Sequence, residues 1–272
     1  MLELSVCIEW IFADRDFPAR IDAVAEAGLP AFEFWGWQDK DLEPIRQRQQ
    51  HHGLAVGTVS LDPPVNLLEA EATGPFLERL DESLAVARKL DCQTLTVDLH
   101  EIPFGPGQAW YSYLTDARQR DLRLRHRDQI VRALKAAVPV AEYAGVTLLV
   151  EPLNMLDHGG YFLATSQDGF ELIRQVDSPA VRLLFDFYHQ QLTEGNLISN
   201  LTENIDLIAY LHVADVPDRR VPGTGEINFL NVLKAAREAG YDGYVGLEYQ
   251  PRGDDRASLE PIGQIVDEVN GG

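Results

Sequence analysis

Four residues able to bind a divalent metal ion stand at the ends of four successive apolar segments in the second half of the chain. Glu151 follows VTLLV, Asp186 follows VRLLF, His212 closes IAYLH and Glu248 closes YVGLE. Three carboxylates and one imidazole form a mainly oxygen ligand set, which suits Mg²⁺, Mn²⁺ or Co²⁺ better than a structural Zn²⁺. We therefore predict a site for a divalent cation, Mg²⁺ or Mn²⁺ in the first place and Co²⁺ or Zn²⁺ otherwise.

The elements that must position these residues alternate regularly along the chain. Eight β-rich segments alternate with eight helical patterns, without a linker, which predicts one (β/α)₈ TIM barrel domain over residues 1–272. The predicted strands cover residues 4–8, 31–34, 54–59, 94–98, 146–150, 181–185, 208–212 and 244–248. An open doubly wound sheet is the alternative, but it usually carries a GxGxxG turn after its first strand, and the chain contains none.

Closure of the barrel is what brings the four strand-end residues together. Active sites of such barrels lie at the carboxyl ends of the strands, and neighbouring strands are ~4.8 Å apart. A single acid after a strand is usually a helix N-cap or a loop charge. Because the pattern recurs on four consecutive strands, we favour the metal site.

The loops that follow these strands contain further polar residues. His189 lies three residues after Asp186, in a predicted loop, where it is either a surface residue or a substrate contact. Arg219 and Arg220 follow His212 in a loop rich in glycine and proline, which either only reverses the chain or lets the two arginines clamp an anionic or hydroxylated substrate. The segment 101–114, EIPFGPGQAWYSYL, is interpreted as a long loop over the site, before a helix at about 118–143.

Composition limits the classes of partner. With 43 acidic and 23 basic residues, the formal net charge is −20, which argues against binding to nucleic acid or to an anionic membrane surface. No apolar run approaches the ~20 residues of a membrane span, and the N-terminus lacks the basic region of a signal peptide. Cys7 and Cys92 are far apart and form no CxxC pair, so we expect reduced thiols and a cytoplasmic protein.

Several motifs resemble those of a known family. EPLN at Glu151, FDFYHQQLTEG around Asp186, HVADVPDRRVPGTGEINF from His212 and VGLEYQP around Glu248 resemble the xylose isomerase-like barrel superfamily, and within it the hydroxypyruvate isomerase group. The resemblance is dense over residues 146–251 and looser in the first half, where FEFWGW is similar to the family's second strand.

The resemblance implies a reaction and a set of roles. It implies isomerisation of hydroxypyruvate and tartronate semialdehyde, or a closely related short hydroxy-carbonyl acid, through an enediolate. Glu151, Asp186, His212 and Glu248 are implied as metal ligands, and the two glutamates also as the acid/base pair. Substrate oxygens are then expected to contact His189, Arg219 and Asp157.

Other activities remain open from the sequence. A ketose 3-epimerase or another sugar or sugar-acid isomerase would use the same four ligands. The third strand ends in GTVSLD and lacks the histidine that some members of the family carry there, which leaves the exact substrate open. An abasic-site endonuclease would need more histidines and a basic face. A non-catalytic barrel would bind a sugar acid or a metal. We expect a small-molecule substrate and a possible homo-oligomer.

Overall fold

A computed structural model describes residues 1–100, 102 and 120–271 of the chain. Eight parallel strands form a closed barrel in chain order, with β8 paired to β1, as predicted. The strands are β1 Glu3–Cys7, β2 Ala31–Phe34, β3 Ala55–Ser60, β4 Thr94–Val97, β5 Thr147–Val150, β6 Val181–Asp186, β7 Ile208–Val213 and β8 Tyr244–Leu247. Their bounds differ by one residue at most from the predicted ones, because apolar runs bounded by polar residues mark buried strands well.

Helices cover the outside of the barrel. They are α1 Phe17–Glu26, α2 Leu42–His52, α3 Thr73–Lys89, α4 Arg120–Ala144, α5 Ser166–Val176, α6 Phe187–Thr193, α7 Leu197–Thr202, α8 Phe229–Glu238 and α9 Asp255–Gly271. The predicted loop 101–114, apart from residue 102, and the predicted start of the long helix at 118 lie outside the described residues.

The prediction of a loop after β6 is wrong. The segment after β6 was predicted as a loop, but it forms α6, so His189 lies on a helix. The Asp186 carboxylate caps this helix by accepting a hydrogen bond from the backbone N–H of Tyr188 at 2.8 Å. A helix of seven residues is too short to show a helical hydrophobic period, which is why the sequence concealed it.

Helix α1 starts without a side-chain cap. Asp16 occupies the N-cap position, but its side chain forms no capping hydrogen bond. Pro18, in the first turn, instead supplies a preset φ and lacks an N–H that would need a partner.

The hydrophobic core has two parts. The larger surrounds the barrel, where strand residues such as Phe32 and Phe185 pack among buried helix residues. The smaller comprises Leu149, Leu184 and Tyr210, on three consecutive strands. None of the helices in the described part of the chain is both long and apolar enough to span a membrane.

Candidate active site

Strand register brings the four predicted ligands together at the carboxyl end of the barrel. Asp186 on β6 is the register partner of His212 on β7, which pairs in turn with Gly246 on β8, two residues before Glu248. Glu151 directly follows β5. One ligand atom from each of the four side chains lies within 4.8 Å of the others, and all four residues are buried. The predicted convergence is therefore present in the structure.

His212 lies between carboxylates on both sides of its ring. Its Nδ1 lies 3.0 Å from Oε2 of Glu248 and 3.8 Å from Oε1 of Glu151. Its Nε2 lies 2.9 Å from Oε1 of Glu33. Burial acts to lower the pKa of His212, but the negative charges of Glu248 and Glu33 raise it well above its usual value.

Asp186 and His189 are held by backbone groups. One carboxylate oxygen of Asp186 caps α6, which leaves Oδ2 facing the cluster. The backbone N–H of Asn154 donates to Nδ1 of His189 at 3.1 Å, which assigns the proton of the neutral ring to Nε2. Burial and the nearby Arg219 keep the pKa of His189 well below its usual value. Its buried Nε2 forms no hydrogen bond to the described residues, although it lies 3.6 Å from Asp186 Oδ2.

Arg219 supplies a positive charge to the cluster. Its Nη2 donates to Oδ2 of Asp186 at 2.9 Å and also to Oε2 of Glu248, and its Nε donates to the carbonyl of Glu248 at 3.2 Å. The guanidinium carbon lies 4.9 Å from the ring centroid of Trp10 and 5.3 Å from that of Tyr188. These contacts fix its plane, while Nη1 makes no hydrogen bond within the described part of the chain.

The two glutamates occupy different electrostatic surroundings. Burial raises the pKa of Glu151 to about 7, and the carboxylates of Glu248 and Asp186 add to that rise, against the effect of His212. Burial acts in the same direction on Glu248, but Arg219 and His212 outweigh it and hold its pKa well below the usual range. Burial also raises the pKa of Asp186. Two carboxyl groups with pKa values pushed apart are typical of acid/base pairs.

The donor set fits a divalent cation. Glu151 Oε1 and His212 Nδ1 are buried and have no hydrogen-bond partner among the described residues. Both atoms could bind a cation, His212 by releasing its Nδ1 proton to the solvent as the ion binds. Arg219 balances one of the three negative charges that the ionised carboxylates Glu151, Asp186 and Glu248 carry, so a doubly charged ion would neutralise the remainder. Three carboxylates with one imidazole form a mainly oxygen ligand set, which fits a divalent cation.

A cavity of about 750 Å³ opens over the cluster. Its wall includes His189, Arg219 and Asp157, the three residues predicted to contact substrate. Asp157 accepts hydrogen bonds from Tyr188 Oη at 2.7 Å and from the Asn154 amide at 3.0 Å. Burial acts to raise the pKa of Asp157, but these two hydrogen bonds lower it.

Four aromatic residues that lie near the carboxyl ends of β1 and β2 occupy two different places. Trp10, Phe34 and Trp35 line the cavity. The indole of Trp35 donates to Oε1 of Glu248 at 2.8 Å, so this tryptophan contributes a polar contact to the cavity. Trp37 instead donates to Ser83 Oγ at 3.3 Å and is not among the described residues of the cavity wall.

Two buried polar residues at this site were missed. Glu33 on β2 contacts His212, and Tyr210 on β7 donates a hydrogen bond to Glu33 Oε2 at 2.5 Å. A lone acid inside the apolar strand AFEF was the available signal for Glu33. Tyr210 had no signal, because a tyrosine in a buried strand usually only packs.

The chain is similar to known proteins over nearly its whole length. The xylose isomerase-like TIM barrel family model matches residues 21–268. A putative hydroxypyruvate isomerase of Danio rerio is 29% identical and covers 100% of this chain and 99% of its own. The hydroxypyruvate isomerase of Escherichia coli K12 is 27% identical, covering 95% and 97%. The 2-oxo-tetronate isomerase of Haemophilus influenzae is 26% identical, covering 96% and 98%.

A solved structure shares the architecture. A protein of Brucella melitensis described as AP endonuclease, family 2, superposes with a TM-score of 0.85 at 25% identity, covering 97% of this chain and 99% of its own. The family match and the full-length isomerase relatives agree with the resemblance in the motifs. The chain therefore belongs to the xylose isomerase-like TIM barrel family, and it is an isomerase.

Proposed function

We propose that the protein is a metal-dependent isomerase that interconverts hydroxypyruvate and tartronate semialdehyde, or a closely related short 2-keto acid. The observation that carries the proposal is the convergence of Glu151, Asp186, His212 and Glu248 within 4.8 Å beneath a cavity that also presents Arg219. The names of the full-length relatives, which include hydroxypyruvate isomerase and 2-oxo-tetronate isomerase, support the keto-acid class.

Substrate binding would use the polar groups of the cavity that lack a partner. The free Nη1 of Arg219 faces no described acceptor, so it suits the substrate carboxylate. The Nε2–H of His189 is buried without a hydrogen bond and suits a substrate oxygen. Asp157 remains a predicted contact for a hydroxyl group at the rim of the same cavity.

The chemical step requires two proton movements. One of the glutamates, Glu151 or Glu248, removes a proton from the hydroxymethyl carbon C3 of hydroxypyruvate, and the electron pair gives an enediolate. The other glutamate, or the same one, returns a proton to C2, while the C3 hydroxyl proton passes to the C2 oxygen and leaves an aldehyde at C3. General acid–base catalysis of this kind contributes about 10²–10⁴-fold. A divalent cation bound by the four ligands would supply Lewis-acid stabilisation of the developing negative charge.

The test is a substrate panel on metal-stripped and reloaded enzyme. We expect hydroxypyruvate to turn over with Mg²⁺ or Mn²⁺, and we expect the tartronate semialdehyde formed in ²H₂O to carry solvent deuterium at C2, as followed by NMR. Turnover of ketoses but of no keto acid would contradict the proposal and favour the alternative, a ketose 3-epimerase.

A nucleic-acid substrate is the other alternative to test. In the part of the chain that the structure describes, one group of acidic and histidine side chains has metal-ligand spacing, and the chain carries a formal net charge of −20. Both observations argue against the several metal ions and the basic face of an abasic-site endonuclease. Cleavage of an abasic-site oligonucleotide in place of keto-acid turnover would contradict the proposed function.

A further inference from the structure

A buried carboxylate inside the barrel contacts the side of His212 that faces away from the predicted metal ligands. Glu33 is 2% exposed, and its Oε1 lies 2.9 Å from Nε2 of His212. We propose that Glu33, held by Tyr210, is a positioning residue that orients the His212 ring so that Nδ1 faces the metal. The inference rests on the metal dependence of the proposed function and extends it.

The contact is made across the barrel interior. Tyr210 and His212 are two residues apart on β7, so their side chains leave the same face of the strand. Glu33 lies on β2, which is separated from β7 by β8 and β1 in the closed barrel. Its carboxylate therefore contacts His212 through Oε1 and Tyr210 through Oε2, at 2.9 and 2.5 Å. Only barrel closure creates this pair of contacts.

Two glycines leave the space that this arrangement needs. A Cβ atom at Gly246 on β8 would lie 2.4 Å from Cδ2 of His212 and 2.7 Å from Oε2 of Glu33. A Cβ atom at Gly57 on β3 would lie 2.2 Å from the Tyr210 hydroxyl. Glycine weakens a strand interior and often marks a close approach of other groups. The glycines at these two positions therefore accommodate the polar side chains at a cost in strand stability.

Burial of Glu33 also has a cost that packing alone does not explain. A buried carboxylate is costly unless it is paired and hydrogen-bonded. Among the described residues, its ion-pair contact is His212, and no lysine or arginine lies within ion-pair distance. Metal-binding histidines commonly donate their second ring N–H to a carboxylate, which fixes the tautomer and the ring orientation. Orientation of His212 for metal binding would explain why a carboxylate is buried at position 33.

The imidazole ring of His212 is not aligned for a hydrogen bond from its Nε2–H to Glu33. Nε2 of His212 lies within 2.9 Å of Glu33, yet neither ring nitrogen has an aligned hydrogen-bond partner in the described part of the chain. Functional hydrogen bonds commonly tighten only when the ligand is bound. We infer that metal binding at Nδ1 places the ring proton on Nε2, directed at Glu33.

The experiment compares metal affinity between the parent protein and three variants. Metal-stripped proteins are titrated with Mn²⁺ by calorimetry, and Co²⁺ is added separately to record its visible absorption, which reports the ligand geometry. We expect Glu33→Gln to weaken Mn²⁺ binding about 10–100-fold and to change the Co²⁺ spectrum. Tyr210→Phe should cause a smaller loss, because Glu33 keeps its contact with His212. Ser83→Ala changes a buried polar residue on α3 that is not among the described residues of the cavity wall, and it should leave the Mn²⁺ affinity within about twofold.

The outcomes separate this inference from the proposed function. Parent-like Mn²⁺ affinity and an unchanged Co²⁺ spectrum in Glu33→Gln would overturn the role of Glu33 alone. A parent protein that binds no divalent metal would overturn both proposals. A parent that binds Mn²⁺ but isomerises no keto acid would contradict the proposed function, and the comparison of affinities would still decide the role of Glu33. If Glu33→Gln does not fold, Tyr210→Phe decides: unchanged affinity and spectrum would overturn the inference.

Discussion

The indole nitrogen of Trp35 donates a hydrogen bond to Oε1 of Glu248 at 2.8 Å. The other oxygen of this carboxylate faces Nδ1 of His212 at 3.0 Å and also accepts from Arg219. Trp35 thus fixes the rotation of a side chain that we propose both binds the metal and moves a proton. Trp35 lines the cavity and is 40% exposed. A tryptophan that only packed there would not need a hydrogen bond from its indole nitrogen.

We therefore expect Trp35→Phe to lower kcat by about tenfold or more, since a hydrogen bond to a charged group is worth about 1.5–3 kcal/mol. Steady-state kinetics with hydroxypyruvate measures the effect. Trp37→Phe is the matched control, because its indole donates to Ser83 instead. Equal kcat values in the two variants would show that the contact with Glu248 has no functional consequence.

Conversion of either catalytic candidate to its amide tests the acid/base pair. We expect Glu151→Gln and Glu248→Gln each to lower kcat by at least 10²–10⁴-fold, because an amide cannot accept the substrate proton. Glu226→Gln, in the exposed loop after β7, should keep parent activity. Circular dichroism checks that the variants are folded, and near-parent turnover by either active-site variant would rule out the two-glutamate mechanism.

Replacement of the His189 imidazole by a phenyl ring tests the predicted contact of His189 with substrate. Its Nε2–H is buried and unpaired among the described residues, and it lies 3.6 Å from the nearest oxygen of Asp186. We expect His189→Phe to raise KM for hydroxypyruvate about tenfold while the Mn²⁺ affinity stays near that of the parent, because Nε2 is not one of the four ligand atoms. His51→Phe on the outer helix α2 is the control. A fall in Mn²⁺ affinity as large as the rise in KM would place His189 among the metal ligands.

The strand-end residues could be predicted because each one closes an apolar run whose length and composition already indicate a strand. Because the strands of the barrel are parallel, their carboxyl ends lie at the same end of the barrel, and strand order alone brings these residues together. Glu33 and Tyr210 could not be predicted, since their contact joins strands that are not neighbours and depends on barrel closure. His189 was identified as a candidate, but its position on α6 was not, because a helix of seven residues is too short to show a helical hydrophobic period.

Arg219 is expected to stabilise the metal-free protein. It pairs with two buried carboxylates, Asp186 and Glu248, and breaking a buried ion pair costs about 3–5 kcal/mol. We expect Arg219→Gln to lower the melting temperature of the stripped protein and saturating Mn²⁺ to restore much of it, since a ligand stabilises the state that binds it. Calorimetry with and without Mn²⁺ measures both values.

The matched control for this loss is Arg252→Gln. Arg252 lies 3.4 Å from Asp218, and both side chains are exposed, by 70% and 63%. Exposed pairs contribute little, so the melting temperature of this variant should stay near that of the parent. An equal fall in both variants would show that the Arg219 pairs do not stabilise the buried cluster.

Gly246 offers a test of the space around the His212 ring. An alanine Cβ there would lie 2.4 Å from His212 Cδ2, so the ring must move, and overpacking of this kind typically costs 1–3 kcal/mol. We expect Gly246→Ala to lower both stability and Mn²⁺ affinity, measured by urea unfolding and calorimetry. Gly263→Ala on α9 is the control, because no atom lies within 4 Å of its added Cβ and alanine favours helix by about 0.5–1 kcal/mol. Parent-like Mn²⁺ affinity in Gly246→Ala would show that metal binding tolerates a displaced His212.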